Sequence, residues 1–280
     1  MRESDAIHRR GGLAATHELL ADGATSHRLT AAVRSGTIVR VRQGWYGLPH
    51  ADEPLTAAVR VGGRATATTA ARALGLASMP DGLIHVRVDA HAARLRDPHD
   101  AKRRLGPRAD VCVHWRSGGS GSRHRLAAVE AIVDMADCQP PERVVAAADS
   151  AIRLGLATRT AWARGIADQP HRLRRLLEEV DPRSESYLES IARFRLRRLG
   201  MRPRVQVEIP RVGRVDLLVG RVVVELDGWE FHRDREAFER DRERDAECVR
   251  AGLIPLRFTS RQLLRRWAWM RSVIRDALAS

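Results

Sequence analysis

Long hydrophobic runs are missing from this sequence. None of its apolar stretches approaches the about 20 residues that a membrane-spanning helix needs. The charged first stretch, MRESDAIHRR, lacks the apolar segment of a secretory signal. The 280 residues, of which 44 % are hydrophobic, are enough for two or three domains with their own cores. We therefore expect a multidomain cytoplasmic protein with no membrane partner.

Cysteine is also scarce, and its spacing is uninformative. The sequence has three cysteines and no CxxC pair: Cys112, Cys138 and Cys248. This pattern fits reduced structural thiols in a cytoplasm better than a disulfide framework or a zinc site. The histidines of the central region show no metal-ligand spacing either. We interpret four of them as surface residues or as core residues with satisfied hydrogen bonds: His85, His91, His99 and His114.

Lysine is represented by Lys102 alone, so almost all of the 49 basic side chains are arginines. A GC-rich genome is an ordinary cause of that preference. It does not explain the excess of basic over acidic residues, 49 against 35, or the formal net charge of +14. Phosphate backbones are the usual partners of such a surface. A membrane surface is the competing partner, but we find no basic amphipathic helix with the bulky apolar face that it requires.

Residues 1 to 50 are predicted to form three short helices followed by a β-hairpin. The first helix covers about residues 4 to 10, and Thr16 caps the second. Thr25 or Ser26 opens the third. A glycine follows the second and third helices, as is typical of helix C-termini.

The third helix and the hairpin each have one apolar and one polar side. In the helix, Leu29 and Val33 share the apolar face. The polar face of the helix is formed by His27, Thr30, Ala31 and Arg34. In the hairpin, alternation predicts two valines on one side and two arginines on the other: Val39 and Val41, Arg40 and Arg42.

Three short helices and a basic hairpin are typical of a winged helix-turn-helix domain. The third helix of such a domain enters a major groove, and the wing lies beside phosphates. The candidate DNA-contacting residues are His27, Arg28, Thr30, Arg34, Arg40 and Arg42. The alternative is a small helical domain whose polar face is only solvated.

The same forty positions, RRGGLAATHELLADGATSHRLTAAVRSGTIVRVRQGWYGLP, resemble the N-terminal winged-helix domain of AbiEi-type antitoxins from type IV toxin–antitoxin systems. The GG-x-x-x-T start, the capped third helix and the R-x-R-x-G-W-Y wing stand in the same order. The resemblance implies binding to double-stranded DNA, often at a promoter, and makes a cognate toxin a candidate partner.

Residues 51 to 180 are predicted to form an α+β connecting domain. Two strands, LIHVRVD and ADVCVHW, alternate with Ala-rich helices whose apolar positions recur at helical spacing. The segment looks like the connecting domain of longer members of the same antitoxin-related group. Its sequence indicates no chemistry.

Residues 181 to 280 are predicted in the order α-β-β-β-α-β-α, which favours a central sheet flanked by helices. The opening helix runs from about 186 to 200, and a final helix starts at Ser260. Turns are predicted at Gly213 and at 220–221, between the first three strands. The whole chain is therefore expected to be a mixed α+β and α/β multidomain protein.

Four carboxylates are predicted to converge in this last region. Asp216 lies in the second strand, and Glu225 and Asp227 share one face of the third, because side chains two apart on a strand point the same way. Glu189 reaches in from the preceding helix. Converging carboxylates repel one another unless a divalent cation neutralises them, and oxygen-only ligands select Mg²⁺ or Mn²⁺. We expect Asp216, Glu225 and Asp227 to bind the metal.

A helix Glu, then Asp, then E-x-D on a hairpin resembles the PD-(D/E)xK nuclease superfamily. More closely, the region resembles the bacterial family of unknown function numbered 559, a relative of the very short patch repair endonucleases. The match rests on SYLES, QVEI, GRVDLLV, VVELDGWEFH, FERDRERD and PLRFT. The resemblance implies a metal-dependent endonuclease with Asp216 as central ligand. It implies that Glu189 holds a metal-bound water and that His232 acts in proton transfer.

The sequence departs from that pattern at Asp227, where the superfamily has lysine and the repair enzymes have histidine. Arg240 or Arg244 could supply the missing cation. Two interpretations remain: an active endonuclease guided by a winged helix, or an antitoxin-like DNA-binding regulator with an inactive nuclease fold. A third, structural interpretation pairs the acids with nearby arginines: Arg214, Arg221 and Arg257.

Overall fold

The computed structural model describes residues 2–107, 110–227 and 235–280. This part of the chain forms thirteen α-helices, one 3-10 helix and three small sheets, which confirms the expected mixed α+β class. It contains no helix that combines the length and the apolar character needed to cross a membrane. The chain divides into two compact units, Met1–Gln139 with Arg164–Ile166 and Pro140–Ala163 with Ala167–Ser280.

The first unit begins with a helical segment and a small sheet. In chain order the elements are α1 (Glu3–Arg9), β1 (Leu13–Ala15), α2 (Thr16–Ala21), α3 (Ser26–Arg34), β2 (Val39–Arg42) and β3 (Trp45–Gly47). The three helices and the hairpin agree with the sequence prediction, whereas strand β1 was not predicted. The sheet is antiparallel in the order β1-β3-β2.

The third helix starts and packs as its sequence indicates. The Thr25 side chain accepts a hydrogen bond from the Arg28 N–H at 3.3 Å and so caps α3. Leu29 is fully buried and joins Ile7 and Leu19 in a local core. This core holds the apolar face of α3 and leaves its other face in solvent.

The rest of the first unit is a second small sheet with three helices. Its elements are α4 (Glu53–Val61), β4 (Arg64–Ala65), α5 (Ala67–Ala73), β5 (Ile84–Val88), β6 (Val111–Trp115) and α6 (Ala128–Cys138). The strand order is β4-β5-β6, and β5 and β6 run parallel. Leu13 and Val41 of the first sheet belong to the same core as Val59 and Val86. This shared core explains why residues 1–50 do not form a compact unit of their own.

The second unit contains a four-stranded sheet. Its elements are α7 (Pro141–Arg153), α8 (Arg159–Ile166, whose last three residues group with the first unit), α9 (His171–Arg174), the 3-10 helix Arg175–Glu179, α10 (Tyr187–Arg198), β7 (Arg204–Ile209), β8 (Gly213–Val219), β9 (Val222–Asp227), α11 (Arg235–Arg250), β10 (Ile254–Thr259), α12 (Ser260–Arg265) and α13 (Trp267–Ala279). The strand order is β10-β9-β8-β7, with β10 parallel to β9 and the other pairs antiparallel.

The predicted order α-β-β-β-α-β-α is confirmed from α10 onward, with the final helix divided into α12 and α13. The tight turns fall at the predicted glycines, where Gly213 and Gly220 adopt φ values of +86° and +56°. One side of the sheet packs against α10 and α13 through a core that includes Leu217, Val224 and Ile274. The burial of β9 from Val222 to Val224 places the following acids just outside this core.

The predicted boundary near residue 180 differs from the structure, in which the second unit begins at Pro140. The physical reason is a buried ion pair between α7 and α10. Arg193 lies 2.6 Å from Asp149, and each side chain is only 1 % exposed. The same carboxylate accepts hydrogen bonds from the Ser190 hydroxyl and the Asp181 N–H, both at 2.7 Å. A charge pair of this kind is costly to separate, so α7 stays with α10.

Candidate functional site

Glu189 occupies the first turn of α10 and is 4 % exposed. Its N–H donates to the Ser186 hydroxyl oxygen at 3.1 Å, which caps the helix. Its carboxylate accepts from the Glu185 N–H at 2.9 Å and from the Gln206 amide at 2.8 Å. Burial nevertheless raises the pKa of the Glu189 carboxyl above its ordinary value. The Arg193–Asp149 pair, one turn further along α10, fixes the helix that carries this acid.

Asp216 lies on β8, beside the acids of β9. The antiparallel ladder pairs Leu217 with Val224, so the residues just beyond this pair, Asp216 and Glu225, are neighbours at the same end of the two strands. The Leu226 N–H donates to Asp216 Oδ2 at 2.9 Å. Burial raises the pKa of Asp216 above its ordinary value, an effect that this hydrogen bond only partly offsets.

Gln206 marks a local irregularity next to Asp216. On β7, Val205 pairs with Leu217 and Val207 pairs with Val215, so Gln206 interrupts the ladder at the level of Asp216. Its φ of +51° lies in the left-handed region, which is unusual for a residue with a side chain. In this conformation the Gln206 side-chain amide donates a hydrogen bond to the Glu189 carboxylate. Gln206 belongs to the QVEI motif, but no role was predicted for it from the sequence.

Glu225 follows the buried part of β9, and its side chain is 15 % exposed. Burial and the neighbouring charge of Asp216 raise the pKa of Glu225 to about 7. Arg244 on α11 lies 3.1 Å from its Oε1. Arg257, opposite Glu225 in the parallel β9–β10 ladder, adds a weaker favourable interaction. Glu225 is therefore held close to the point where it gains or loses its proton at neutral pH.

Arg244 contacts the acid cluster directly through Glu225. Besides Glu225, it donates to the carbonyl oxygens of Val212, at 2.8 Å, and Arg214. The sequence had offered Arg240 and Arg244 equally. In the structure Arg244 contacts Glu225, and both Arg240 and Arg244 line a surface cavity of about 490 Å³ beside α11.

The other expected arginine partners lie elsewhere. Arg214 pairs with Glu185 at 2.9 Å, and Arg221 donates to the Ser280 hydroxyl at 3.2 Å. Arg257 pairs with Asp245 at 3.1 Å. Arg214 and Arg221 therefore have partners outside the predicted acid cluster, whereas Arg257 interacts both with Asp245 and, more weakly, with Glu225.

The predicted acids act on one another electrostatically. Asp216 raises the pKa of both Glu189 and Glu225, and Asp227 raises that of Asp216 and Glu225. Within residues 2–107, 110–227 and 235–280, no three of these carboxylates bring ligand atoms within 4.8 Å of one another. The fifth predicted catalytic residue, His232, lies outside the described residues.

The donor set of this cluster fits a hard divalent cation. All the predicted ligands are carboxylates, which Mg²⁺ and Mn²⁺ prefer. Burial and mutual repulsion disfavour the charged forms of Asp216 and Glu225, as their raised pKa values record. A cation beside them would relieve that penalty. Asp216, Glu225 and Asp227 are the residues that could hold it.

The second candidate surface is the polar face of α3. His27, Thr30, Ala31 and Arg34 are all exposed, as predicted. Arg28 is also exposed, but its guanidinium lies 2.8 Å from Glu3 of α1. The Thr30 hydroxyl donates to the Ser26 carbonyl within the helix at 2.8 Å.

The hairpin differs from the predicted alternation. The register of β2 shifts between Arg40 and Arg42, so these two residues do not share one face in the expected way. Arg40 and Val39 are exposed, and Val41 is buried. Arg42 is half-buried and donates to the Val59 and Arg60 carbonyls at the end of α4, both at 3.4 Å. Burial lowers the pKa of Arg42, which marks it as part of the fold.

A basic cavity of about 430 Å³ lies beside this hairpin in the first unit. Gln43 and Trp45 form part of its wall. Five arginines line it, together with Asp89: Arg42, Arg64, Arg87, Arg116 and Arg123. Arg87 and Arg116 form ion pairs with Asp134, so the excess positive charge of this concave surface, which favours an anionic ligand such as phosphate, comes from the other arginines.

Comparison with known proteins does not identify the chain. No model of a protein family matches it, and neither does any curated protein. The chemistry of its own residues therefore carries the functional argument.

Proposed function

We propose that this protein binds double-stranded DNA through its first unit and hydrolyses phosphodiester bonds with Mg²⁺ or Mn²⁺ in its second. The observation that carries the proposal is the group of half-buried, electrostatically coupled acids at one end of β8 and β9. Burial and repulsion disfavour the charge of these acids, a cost that a structural role leaves unexplained. The resemblance to very short patch repair endonucleases rests on the same residues.

In the proposed site, Asp216, Glu225 and Asp227 hold the cation. When bound, Mg²⁺ or Mn²⁺ supplies Lewis-acid polarisation of the scissile phosphate and neutralises its charge. Glu189 orients the attacking water through a carboxylate that Gln206 and the Glu185 N–H hold in place. Its raised pKa makes this carboxylate a better proton acceptor than an ordinary glutamate.

Two further residues complete the proposed mechanism. Arg244 stands in for the lysine of the superfamily and balances the charge that builds up on the phosphate in the transition state. The resemblance assigns proton transfer to His232, and a histidine is suited to that role near neutral pH.

DNA binding by the first unit is supported by its element order and exposed charges. Helices α2 and α3, followed by the β2–β3 hairpin, have the order of a winged helix-turn-helix. His27, Thr30 and Arg34 on α3 are exposed for a major groove, and Arg40 on β2 is exposed for a phosphate.

An antitoxin-like regulator with an inactive nuclease fold is the second candidate. The ion pair of Arg244 with Glu225 favours it, because Arg244 neutralises a predicted metal ligand without a metal. Asp227 at the lysine position favours it as well. In this case a cognate toxin is the expected partner in addition to DNA.

A DNA cleavage assay with the full-length protein decides between the endonuclease and the regulator. The substrates are supercoiled plasmid and labelled duplex, single-stranded and mismatched DNA, with Mg²⁺ or Mn²⁺. We expect cleavage by the native protein and by Glu208→Gln, which changes an exposed acid of β7, and none by Asp216→Asn or Glu225→Gln. DNA binding without cleavage of any substrate would establish the regulator instead.

A further inference from the structure

Four potential metal ligands meet on one side of the β5–β6 strand pair in the first unit. His85 lies on β5, Cys112 and His114 lie on β6, and Cys138 is the last residue of α6. His85 and Cys112 are partners in the parallel ladder, so their side chains lie side by side. His114 shares the face of Cys112 because the two are two residues apart on one strand.

The distances within this Cys₂His₂ cluster match the edges of a tetrahedron around zinc. His85 Nδ1 lies 3.2 Å from His114 Nε2. Cys112 Sγ lies 3.5 Å from His114 Nε2, and Cys138 Sγ lies 3.7 Å from His85 Nδ1. Tetrahedral Zn²⁺ with bonds of about 2.0 Å to nitrogen and about 2.3 Å to sulfur separates two nitrogens by about 3.3 Å and a nitrogen from a sulfur by about 3.5 Å. All four ligand atoms lie within 4.8 Å of one another.

One histidine of the cluster also has the outer hydrogen bond that is typical of zinc ligands. Asp81 Oδ2 lies 2.9 Å from His85 Nε2, so it orients the imidazole with Nδ1 toward the other three ligands. The Gln139 amide donates to the same oxygen at 2.5 Å, and the Leu83 N–H donates to Asp81 Oδ1 at 3.1 Å. A carboxylate that bonds the second nitrogen of a ligating histidine fixes its tautomer and strengthens it as a ligand.

The competing acidic group nearby is already neutralised. His114 also lies close to Asp134 and Asp137. Asp134 forms ion pairs with Arg87 at 2.7 Å and Arg116 at 3.1 Å, and it accepts from the Thr66 hydroxyl at 2.5 Å. A cation placed there would meet two guanidinium groups, so the thiol and imidazole side of His114 is the better metal site.

We propose that the first unit binds one Zn²⁺ through His85, Cys112, His114 and Cys138. Thiolate and imidazole together select zinc over magnesium or calcium. Four protein ligands fill the tetrahedral shell and leave no position for a substrate, which makes the site structural. It ties the ends of two strands to the end of α6 and so stabilises the unit that carries the predicted DNA-binding face. This zinc site is independent of the acid cluster on β8 and β9.

Metal analysis of the full-length protein tests the proposal. The protein is expressed with zinc in the medium and purified under reducing conditions without chelators. We expect one zinc per chain in the native protein, in Asp216→Asn and in Cys248→Ser, which removes the remaining cysteine. We expect zinc to be lost from Cys112→Ser and from Cys138→Ser. Zinc that persists in both variants would overturn the proposal.

Cobalt replacement covers the case in which those variants fail to fold. The native protein is stripped of metal and titrated with Co²⁺. We expect the visible bands of tetrahedral cobalt, together with thiolate-to-cobalt charge transfer, to saturate at one equivalent and to disappear when Zn²⁺ is added. A folded native protein without zinc and without this spectrum would overturn the proposal, as would a Cys112–Cys138 disulfide in the reduced preparation.

Discussion

Arg244 and Glu225 form an ion pair, with a guanidinium nitrogen 3.1 Å from the carboxylate. Arg244 comes from α11, whereas Glu225 follows the most hydrophobic part of β9. The same guanidinium binds the carbonyl oxygens of Val212 and Arg214 at the β7–β8 turn. One arginine thus connects the acid cluster, the hairpin and the following helix.

This ion pair predicts two opposite effects of Arg244→Gln. Loss of the guanidinium removes a competitor for Glu225, so we expect Mn²⁺ to raise the melting temperature more in the variant than in the native protein. We expect cleavage to fall by roughly 100-fold, because a charge that stabilises the transition state is lost. Thermal melting with and without Mn²⁺, together with plasmid cleavage, measures both effects.

Arg242→Gln is the matched control for that variant. Arg242 lies on the same helix, and its guanidinium is 3.7 Å from the Asp245 carboxylate. The control should retain the native metal response and the native rate. Equal behaviour of Arg242→Gln and Arg244→Gln would show that Arg244 has no specific role at the site.

The raised pKa of Glu225 predicts a pH-dependent stability. Because the pKa in the folded protein is about 7, above the roughly 4.3 of a free glutamate, the folded state binds this proton more tightly than the unfolded state. Protonated Glu225 therefore makes its full contribution to the free energy of unfolding below about pH 4, and this contribution is lost as the pH rises through about 7. Glu225→Gln, which cannot ionise, should therefore gain stability relative to the native protein over this range.

Melting temperatures between pH 4 and pH 8, without added divalent cations, check this expectation. The difference between Glu225→Gln and native should grow with pH and level off above about pH 7. Glu208→Gln, at an exposed position on the same sheet, should differ from native by a constant amount. A constant difference for Glu225→Gln as well would mean that the carboxyl titrates normally.

The exposed arginines of the first unit predict salt-dependent DNA binding. Replacing Arg34 and Arg40 by alanine should weaken binding to all duplex sequences and reduce the slope of log K against log salt by about 2, roughly one unit per phosphate. Arg72→Ala, an exposed arginine on α5, is the control and should leave the slope unchanged.

Arg42 should behave differently from its neighbour on the hairpin. Its contacts with the carbonyls at the end of α4 are intramolecular, so Arg42→Ala should lower the melting temperature. A hydrogen bond from a charged group contributes about 2 kcal/mol to stability. The salt slope of DNA binding should stay at the native value. A reduced slope at native stability would return Arg42 to the DNA-contacting surface.

The features that could be predicted from the sequence are those set by residues close together along the chain. The order of elements from α10 onward, the turns at Gly213 and Gly220 and the exposed face of α3 all follow from local periodicity and turn chemistry. The pairing of Asp216 with Glu225 was also accessible, because a hairpin fixes its own register.

The features that the sequence did not predict depend on tertiary packing. Because of the register shift in β2, the Arg42 side chain points toward α4. The Arg193–Asp149 ion pair joins α7 to α10, so the second unit begins earlier in the chain than predicted. The Cys₂His₂ cluster was missed because its ligands come from three elements that only the fold brings together. Their spacing along the chain matches no known ligand pattern.

Binding of Mn²⁺ by the acids of β8 and β9 is the most direct test of the proposed site. Electron paramagnetic resonance reports free Mn²⁺ while protein is titrated. The native protein, Glu208→Gln and Cys112→Ser should each remove Mn²⁺ from the free signal, whereas the double variant Asp216→Asn, Glu225→Gln should leave it in solution. A native protein that takes up no Mn²⁺, or a double variant that binds it equally well, would contradict the account.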